Sequence, residues 1–367
     1  MRILQLVLAP RLSGAEMLVK GIAIDHQQNG HEVCVTSLLP AHDDFAAATA
    51  ELIANGVRCR FPARHHDRFG RLMFLYRQVR RFNPDIIFAH ATIPAIYARA
   101  LPVRVPIVWI MHSSINDFAK SPWLCLVEQF LSRRAKAVIG VSQRLVDEYL
   151  GSVRRHPALI VVPNGIDVAR FAQAAASVAR AHGGAGSEHA PGAGHASKRI
   201  VQIGRYAREK GQLHTLRAFA RALEAEPDAH LLLCGVIEDR AHHAAVVALA
   251  NELGIASRVA IEGPLEHVEE ILAESGVFVM PSNLEAHSIA FLEALASGIP
   301  VVANRIGAFE FARDWPGVQL VDTTDHRDYG NALVAALRTP RTMRALDGFR
   351  LEDTAQRYLA IAREAIG

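Results

Sequence analysis

Short apolar runs rich in Val, Ile and Leu alternate with longer segments of helical period along nearly all of the 367 residues. A strand buried on both faces of a parallel sheet is apolar throughout. The segment between two such strands must cross back over the sheet, which a helix does. The alternation therefore points to an α/β protein with parallel sheets. Strands are expected over 3–8, 32–36, 57–60, 85–89, 107–111, 137–141 and 159–162, and again over 200–203, 230–234, 259–262, 277–280, 300–303 and 318–321. Helices are expected over 329–338, 342–348 and 353–366.

The rhythm breaks once, between residues 172 and 197, in a stretch dominated by Ala, Gly, Ser and His, with one Pro and little apolar bulk. Such a composition reads as flexible chain. The expected organisation is an N-terminal Rossmann-like domain over 1–170, a linker over 171–197, a second Rossmann-like domain over 198–350 and a C-terminal helix over 351–367, with a cleft between the two doubly wound domains. His182, His189 and His195 in the linker raise a metal reading, but no Cys or carboxylate cluster accompanies them, and no metal site is expected.

Composition narrows the class further. Half of the residues are apolar, 21% are charged and the formal net charge is +3, which excludes a disordered tail or a collagen-like fibre. The longest apolar runs, 105–111 and 231–236, fall far short of the roughly 20 residues that span a bilayer. Cys34, Cys59, Cys125 and Cys234 lack metal or redox spacing and read as reduced core thiols of a cytoplasmic protein. The start of the chain, where Pro10 and Arg11 follow the first apolar run, reads as a strand running into a turn rather than a secretion signal.

In open α/β sheets ligands gather where strands end, so the loops that follow strands hold the candidates. Gly14 opens a helix just after the first strand; a glycine lets a ligand approach the backbone, and a helix start offers free N–H groups to an anion. No G-x-G-x-x-G fingerprint is present, which counts against a nicotinamide enzyme. The second domain opens with Gly204-Arg205-Tyr206-Ala207-Arg208-Glu209-Lys210-Gly211. Cations near a helix start oppose the macrodipole, and a bound phosphate or diphosphate reverses that cost. Further on, Glu285 and Glu293 stand eight residues apart, one before a helix and one within it. Taken alone, Glu285 also fits a plain helix N-terminal carboxylate, and Glu293 a solvated helix face.

These segments together, GRYAREKG, EAHSIAFLEALASGIPVVA, VPNGID and the first glycine loop, resemble the retaining glycosyltransferases of the GT-B fold that include many bacterial polysaccharide and lipopolysaccharide enzymes. The resemblance covers nearly the whole chain. It implies that Arg205 and Lys210, beside Gly204, hold the diphosphate of a nucleotide-sugar, that Glu293 binds the ribose and that Glu285 lies at the transferred sugar. It also implies that backbone N–H groups around His287, Ser288 and Ile289 touch that sugar, that Gly14 approaches the diphosphate, and that His112 contacts the sugar, with His90 of less defined role. The sequence departs from the family at Ser13, Ala286 and Ser288, where glycines are common, which leaves the donor sugar open. No D-x-D pair occurs, so the expectation is a metal-independent hexosyltransferase without a cofactor, using a nucleotide diphosphate sugar as co-substrate and a glycan or lipid-linked acceptor.

Two rival readings carry different signatures. An epimerase or hydrolase on the same fold needs an acid–base pair at the sugar; a catalytically silent nucleotide-sugar-binding partner has no need of Glu285 and both cations. Residues 1–168 hold 20 basic against 13 acidic side chains. The basic residues cluster with apolar ones around Arg71, Arg77, Arg80 and Arg81, and around Arg133, Arg134 and Lys136 after Trp123, Leu126 and Phe130. That pattern fits either ordinary core-facing helices or a peripheral contact with an anionic membrane at the cytoplasmic face. No nucleic-acid partner is expected.

Overall fold

The computed structural model describes residues 1–112, 121–153, 158–183 and 197–367. The chain divides into two compact units, one of Met1–Ile166 with Gly348–Gly367 and one of Asp167–Asp347. The first unit runs β1 (Arg2–Val7), α1 (Gly14–Gln28), β2 (Glu32–Ser37), α2 (Ala46–Ala54), β3 (Arg58–Arg60), α3 (Arg68–Phe82), β4 (Ile86–His90), α4 (Thr92–Ala100), β5 (Ile107–Met111), α5 (Pro122–Leu131), β6 (Ala137–Gly140), α6 (Gln143–Ser152) and β7 (Leu159–Val161). The second runs α7 (Val168–Gly183), β8 (Arg199–Ile203), α8 (Gln212–Ala225), β9 (His230–Cys234), α9 (Arg240–Glu252), β10 (Val259–Glu262), α10 (Val268–Glu274), β11 (Val277–Met280), α11 (Ile289–Ala296), β12 (Val301–Asn304), β13 (Val318–Val321) and α12 (His326–Leu337). Helix α13 (Leu351–Ile366) returns to the first unit.

Both sheets are parallel throughout. The first has the order β3-β2-β1-β4-β5-β6-β7 and the second β10-β9-β8-β11-β12-β13. Each order reverses beside its first strand, at β1/β4 and at β8/β11. A doubly wound sheet opens a crevice at that switch point, outside the carboxyl ends of the strands. Strands β4 and β5 are buried at every position and β1 at all but its first, as apolar runs between two helix layers must be. The helices start where the sequence supplies caps: Asp67 accepts from the Gly70 N–H before α3, Asp239 from Ala241 and His242 before α9, and Asp325 from Arg327 and Asp328 before α12.

Two features differ from the sequence expectation. Helix α7 extends to Gly183, well into the segment whose composition suggests flexible chain; Phe171 and Ala175 are buried at helical spacing, and Ala is the strongest helix former. The linker histidines His189 and His195 lie outside the described residues, as does the His182 side chain. Over 342–348 no helix forms, because Arg341 and Arg344 hold this stretch to neighbouring backbone. Arg341 donates to the carbonyls of Leu272, Ala273, Ser275 and Ser297, at the ends of α10 and α11. Arg344 donates to Leu295, Ile299 and Pro316. These guanidinium groups satisfy carbonyls that helix ends leave open.

The expected C-terminal helix forms as α13 and packs within the first unit. Tyr358 stacks on Phe88 of β4 at 5.4 Å, and the His26 imidazole donates from Nε2 to the Ala355 carbonyl at 3.0 Å. The chain leaves and re-enters this unit side by side: the Ile166 N–H donates to Phe349, and the Leu351 N–H to Ile166, each at 2.9 Å. The four cysteines are free; burial pushes the Cys34 and Cys234 thiols up to about 12 and Cys59 up to about 11.

Candidate functional site

The switch point of the second sheet brings together the loop after β8 and the loop after β11. The first of these is built rigidly. Tyr206 is fully buried and its hydroxyl donates to the carbonyls of Leu233 and Glu262 at 2.8 and 2.9 Å, which ties the loop to β9 and β10. The Gln202 amide donates to the Lys210 carbonyl at 2.7 Å, and the Gln212 amide to the Arg205 carbonyl at 2.8 Å. Two glycines permit the close approaches. A Cβ on Gly235 would sit 2.2 Å from the Gly204 carbonyl oxygen, and one on Gly211, at φ +68°, would sit 2.7 Å from the Pro281 oxygen. Any larger residue there would push apart the loops that make the site.

On this frame Lys210 reaches Glu285, with Nζ 2.5 Å from Oε1 and side chains only 12% and 7% exposed. The pair straddles the switch point. Arg205, 29% exposed, pairs with Glu238 and lies 3.3 Å from Glu209. Both cations expected to hold a diphosphate are thus occupied by carboxylates of the same unit. Sequence reading missed Glu209 and Glu238; the signal was available, since each acid flanks a strand-end loop beside a buried anchor.

Glu285 is not the N-terminal carboxylate of α11. That position belongs to Ser288, whose hydroxyl accepts from the Phe291 N–H at 3.4 Å. His287 stacks nearly parallel to Phe311 at 6.2 Å, and burial lowers its imidazole to about 4, so it is neutral at physiological pH. Ile289 begins α11. Glu293 is not a solvated face residue. Burial raises its carboxyl to about 7, against the lowering by Arg170, with Glu269 adding to the rise. Arg170 and Glu269 themselves form an ion pair at 2.7 Å between α7 and α10. The charged neighbours of Glu293 are therefore on α7 and α10, and the carboxyl changes protonation near neutral pH.

Gly14 and His112 belong to the first unit, Gly14 at the start of the helix that follows β1 and His112 just after β5. Gly14 is the first residue of α1, behind Ser13, whose hydroxyl bonds to the Glu16 carboxylate. His112 follows β5, and its Nε2 lies 2.9 Å from Nδ1 of the buried His90. Of the two basic clusters, α3 turns Leu75, Val79 and Phe82 inward and leaves Arg77, Arg80 and Arg81 exposed, as core-facing helices do. Helix α5 does the opposite. Glu128, fully buried, anchors its inner face to Arg99 by two 2.6 Å bonds, while Trp123, Leu126 and Phe130 are 71%, 61% and 83% exposed. Among the described residues no group of three His, Cys, Asp or Glu side chains is placed to hold a metal ion, and no helix is long and apolar enough to cross a membrane.

Residues 12–170 match the family model for Glycosyltransferase Family 4, and residues 197–339 that for Glycosyl transferases group 1. This chain belongs to the group 1 glycosyltransferases. Among curated relatives, it is 29% identical over 234 residues to N-acetyl-alpha-D-glucosaminyl L-malate synthase of Bacillus anthracis, covering 62% of this chain and 58% of that one. It is 32% identical over 184 residues to D-inositol 3-phosphate glycosyltransferase of Thermobifida fusca, covering 46% and 42%. The chain thus spans about half the length of these two relatives. Anabaena HepE, solved with UDP and glucose, superposes over 100% of this chain and 95% of its own with a TM-score of 0.74 at 18% identity. WaaG, a glycosyltransferase of lipopolysaccharide biosynthesis, does so over 99% and 98% with a TM-score of 0.65 at 16% identity. The two Rossmann-like units of this glycosyltransferase family member are those of the GT-B fold.

Proposed function

We propose that this glycosyltransferase moves a hexose or related sugar from a nucleotide diphosphate donor to a glycan or lipid-linked acceptor, with retention of configuration, in the building of a cell-surface polysaccharide. The observation that carries the reading is the Lys210–Glu285 pair at the β8/β11 switch point, with Arg205 in the same rigid loop. An arriving diphosphate takes over Lys210 and Arg205 from their carboxylates, and the two cations stabilise the charge that grows on the leaving group. Glu285, released from Lys210, faces the sugar. The bond from the sugar carbon to the phosphate oxygen breaks, the acceptor oxygen bonds to the same face, and the acceptor proton passes to the leaving phosphate. The Glu293 carboxyl, protonated or ionised, has oxygens suited to accept from a ribose hydroxyl. No metal ion or cofactor enters this scheme.

HepE is solved with UDP-glucose, which makes UDP-sugars the first donors to try. Incubation with UDP-sugars and simple acceptor glycosides, followed by NMR of the anomeric proton, tests the proposal. A glycoside of the donor's anomeric configuration, formed equally well with EDTA present, is the expected result. Free sugar released whatever the acceptor would mark a hydrolase, and an isomerised nucleotide-sugar an epimerase.

The same proposal places the enzyme on an anionic membrane through α5. Trp123, Leu126 and Phe130 lie at i, i+3 and i+7, so one face is apolar and exposed, and the exposed Arg133, Arg134 and Lys136 follow it. A helix of this kind inserts its aromatic face at the headgroup level, and each cation near the surface adds about 1 kcal/mol. Binding to vesicles containing phosphatidylglycerol should be strong at low salt and fall as salt rises. Equal binding to neutral vesicles, or none at low salt, would return the acceptor to the aqueous phase.

A further inference from the structure

Two buried glutamines hold the backbone under the two cations of the second unit, and each has a proton donor behind it. Gln212, the first residue of α8, donates to the Arg205 carbonyl, and its Oε1 lies 3.0 Å from Nε2 of His242 on α9. Gln202 of β8 donates to the Lys210 carbonyl, and its Oε1 accepts at 2.8 Å from the Thr215 hydroxyl of α8. The Thr215 oxygen in turn lies 3.2 Å from the Tyr329 hydroxyl of α12. All five side chains are buried, the most exposed being His242 at 5%, and Tyr329 belongs to the apolar core of the unit.

The order of protons along both rows is fixed at the backbone end. A carbonyl oxygen only accepts, so each glutamine turns its NH2 group to the loop and its own oxygen to the interior. That oxygen needs a donor. In the first row the donor is His242 Nε2–H, whether the ring is neutral or charged. In the second the Thr215 hydroxyl spends its proton on Gln202, so the Tyr329 hydroxyl must donate to Thr215. Apolar side chains at these places would leave the glutamine amides free to turn. A buried row of this kind admits one arrangement in which every proton meets an acceptor, and so specifies one loop conformation. The two rows start on different helices, α9 and α12, and end on different residues, Arg205 and Lys210.

We propose that His242 and Thr215, with Tyr329 behind Thr215, are positioning residues for nucleotide binding: acting through Gln212 and Gln202, they fix the loop so that Arg205 and Lys210 meet a diphosphate without rearrangement of the backbone. The diphosphate rests on the glycosyl transfer proposed above; the order of protons does not.

Titrations with UDP and with uridine, which lacks the diphosphate, test this in four variants. His242→Leu and Thr215→Val each remove one donor. Each should raise the UDP Kd roughly five- to tenfold, the worth of about one buried hydrogen bond, and leave that of uridine within twofold. His242→Gln, whose amide nitrogen can stand where Nε2 does, and Thr215→Ser should bring UDP binding back to within twofold of wild type. Unchanged UDP affinity in both donor-less variants, or equal losses for UDP and uridine, would overturn the proposal. In the wild-type chain, long-range proton–nitrogen correlation spectra of protein labelled with ¹⁵N-histidine, assigned with His242→Gln, should show His242 protonated at Nε2. A neutral ring with its proton on Nδ1 would overturn the proposal even if the donor-less variants did not fold. A wild type that binds neither UDP nor pyrophosphate would sink the reading of function and this inference with it, whereas wild-type binding that the variants leave unmoved sinks the inference alone.

Discussion

Lys210 and Glu285 make opposite predictions about the binding of a bare nucleotide diphosphate, although they form one ion pair. If Lys210 is a diphosphate ligand and Glu285 merely its partner in the absence of donor, Lys210→Met should lose binding while Glu285→Gln should keep or improve it. A ligand at 100 times its dissociation constant stabilises a protein by about 2.7 kcal/mol. Removing one partner of a desolvated charge pair costs roughly 2–5 kcal/mol. Taking the smaller figure, affinity drops about thirtyfold, and the stabilisation at the same concentration shrinks to about 0.9 kcal/mol or less.

Each variant should also be less stable than wild type without ligand, since the two side chains are only 12% and 7% exposed and breaking such a pair leaves a charge or dipole without its partner. The assay is therefore the difference in melting temperature with and without UDP for wild type, Lys210→Met and Glu285→Gln, not the melting temperature itself. Wild type and Glu285→Gln should shift alike, and Lys210→Met hardly at all. Equal loss of the shift in both variants would show that Glu285 binds the nucleotide, and the division of labour between diphosphate and sugar would fall.

Four further expectations follow from particular contacts. Glu238→Gln should tighten UDP binding a few-fold by freeing Arg205 from a competing carboxylate, an effect kept small by partial exposure; weaker binding by calorimetry would contradict it. Glu128→Ala strands the fully buried Arg99 guanidinium and should cost about 3–5 kcal/mol in denaturant unfolding. Ala91→Gly should relieve the positive-φ strain and stabilise the chain by about 1 kcal/mol after the entropic cost of glycine; a destabilised variant would show that no strain is stored there. Glu293 has its folded carboxyl raised from 4.5 to about 7, so the folded state holds a proton that the unfolded state has lost, and stability falls as pH rises between those values. Glu293→Gln should accordingly stabilise at pH 8, on the order of 1–3 kcal/mol, and much less at pH 5.

The strands were the most legible part of the chain because parallel burial writes itself as a contiguous apolar run, and 107–111, 230–234, 259–262, 277–280 and 318–321 form with the ends the sequence suggests. What the apolar pattern could not report is where a helix owes its existence to propensity. Helix α7 is poor in bulk yet rich in Ala, and two buried side chains suffice to seat it. Nor could it report loops held by side chains reaching backbone carbonyls, as Arg341 and Arg344 do, because a long cation looks the same in sequence whether it is solvated or spent on a helix end. The polar members of the site show the same limit. Gln5 interrupts β1, RILQLV, and Glu128 interrupts the apolar stripe of α5; each is a lone polar residue where the pattern demands an apolar one. A buried polar group needs a partner, so such an interruption states that a partner exists without saying where. For Glu128 the partner is Arg99, 29 positions away; for Gln5 it is His90, 85 positions away, brought near only because β1 and β4 are neighbours at the point where the sheet reverses its order.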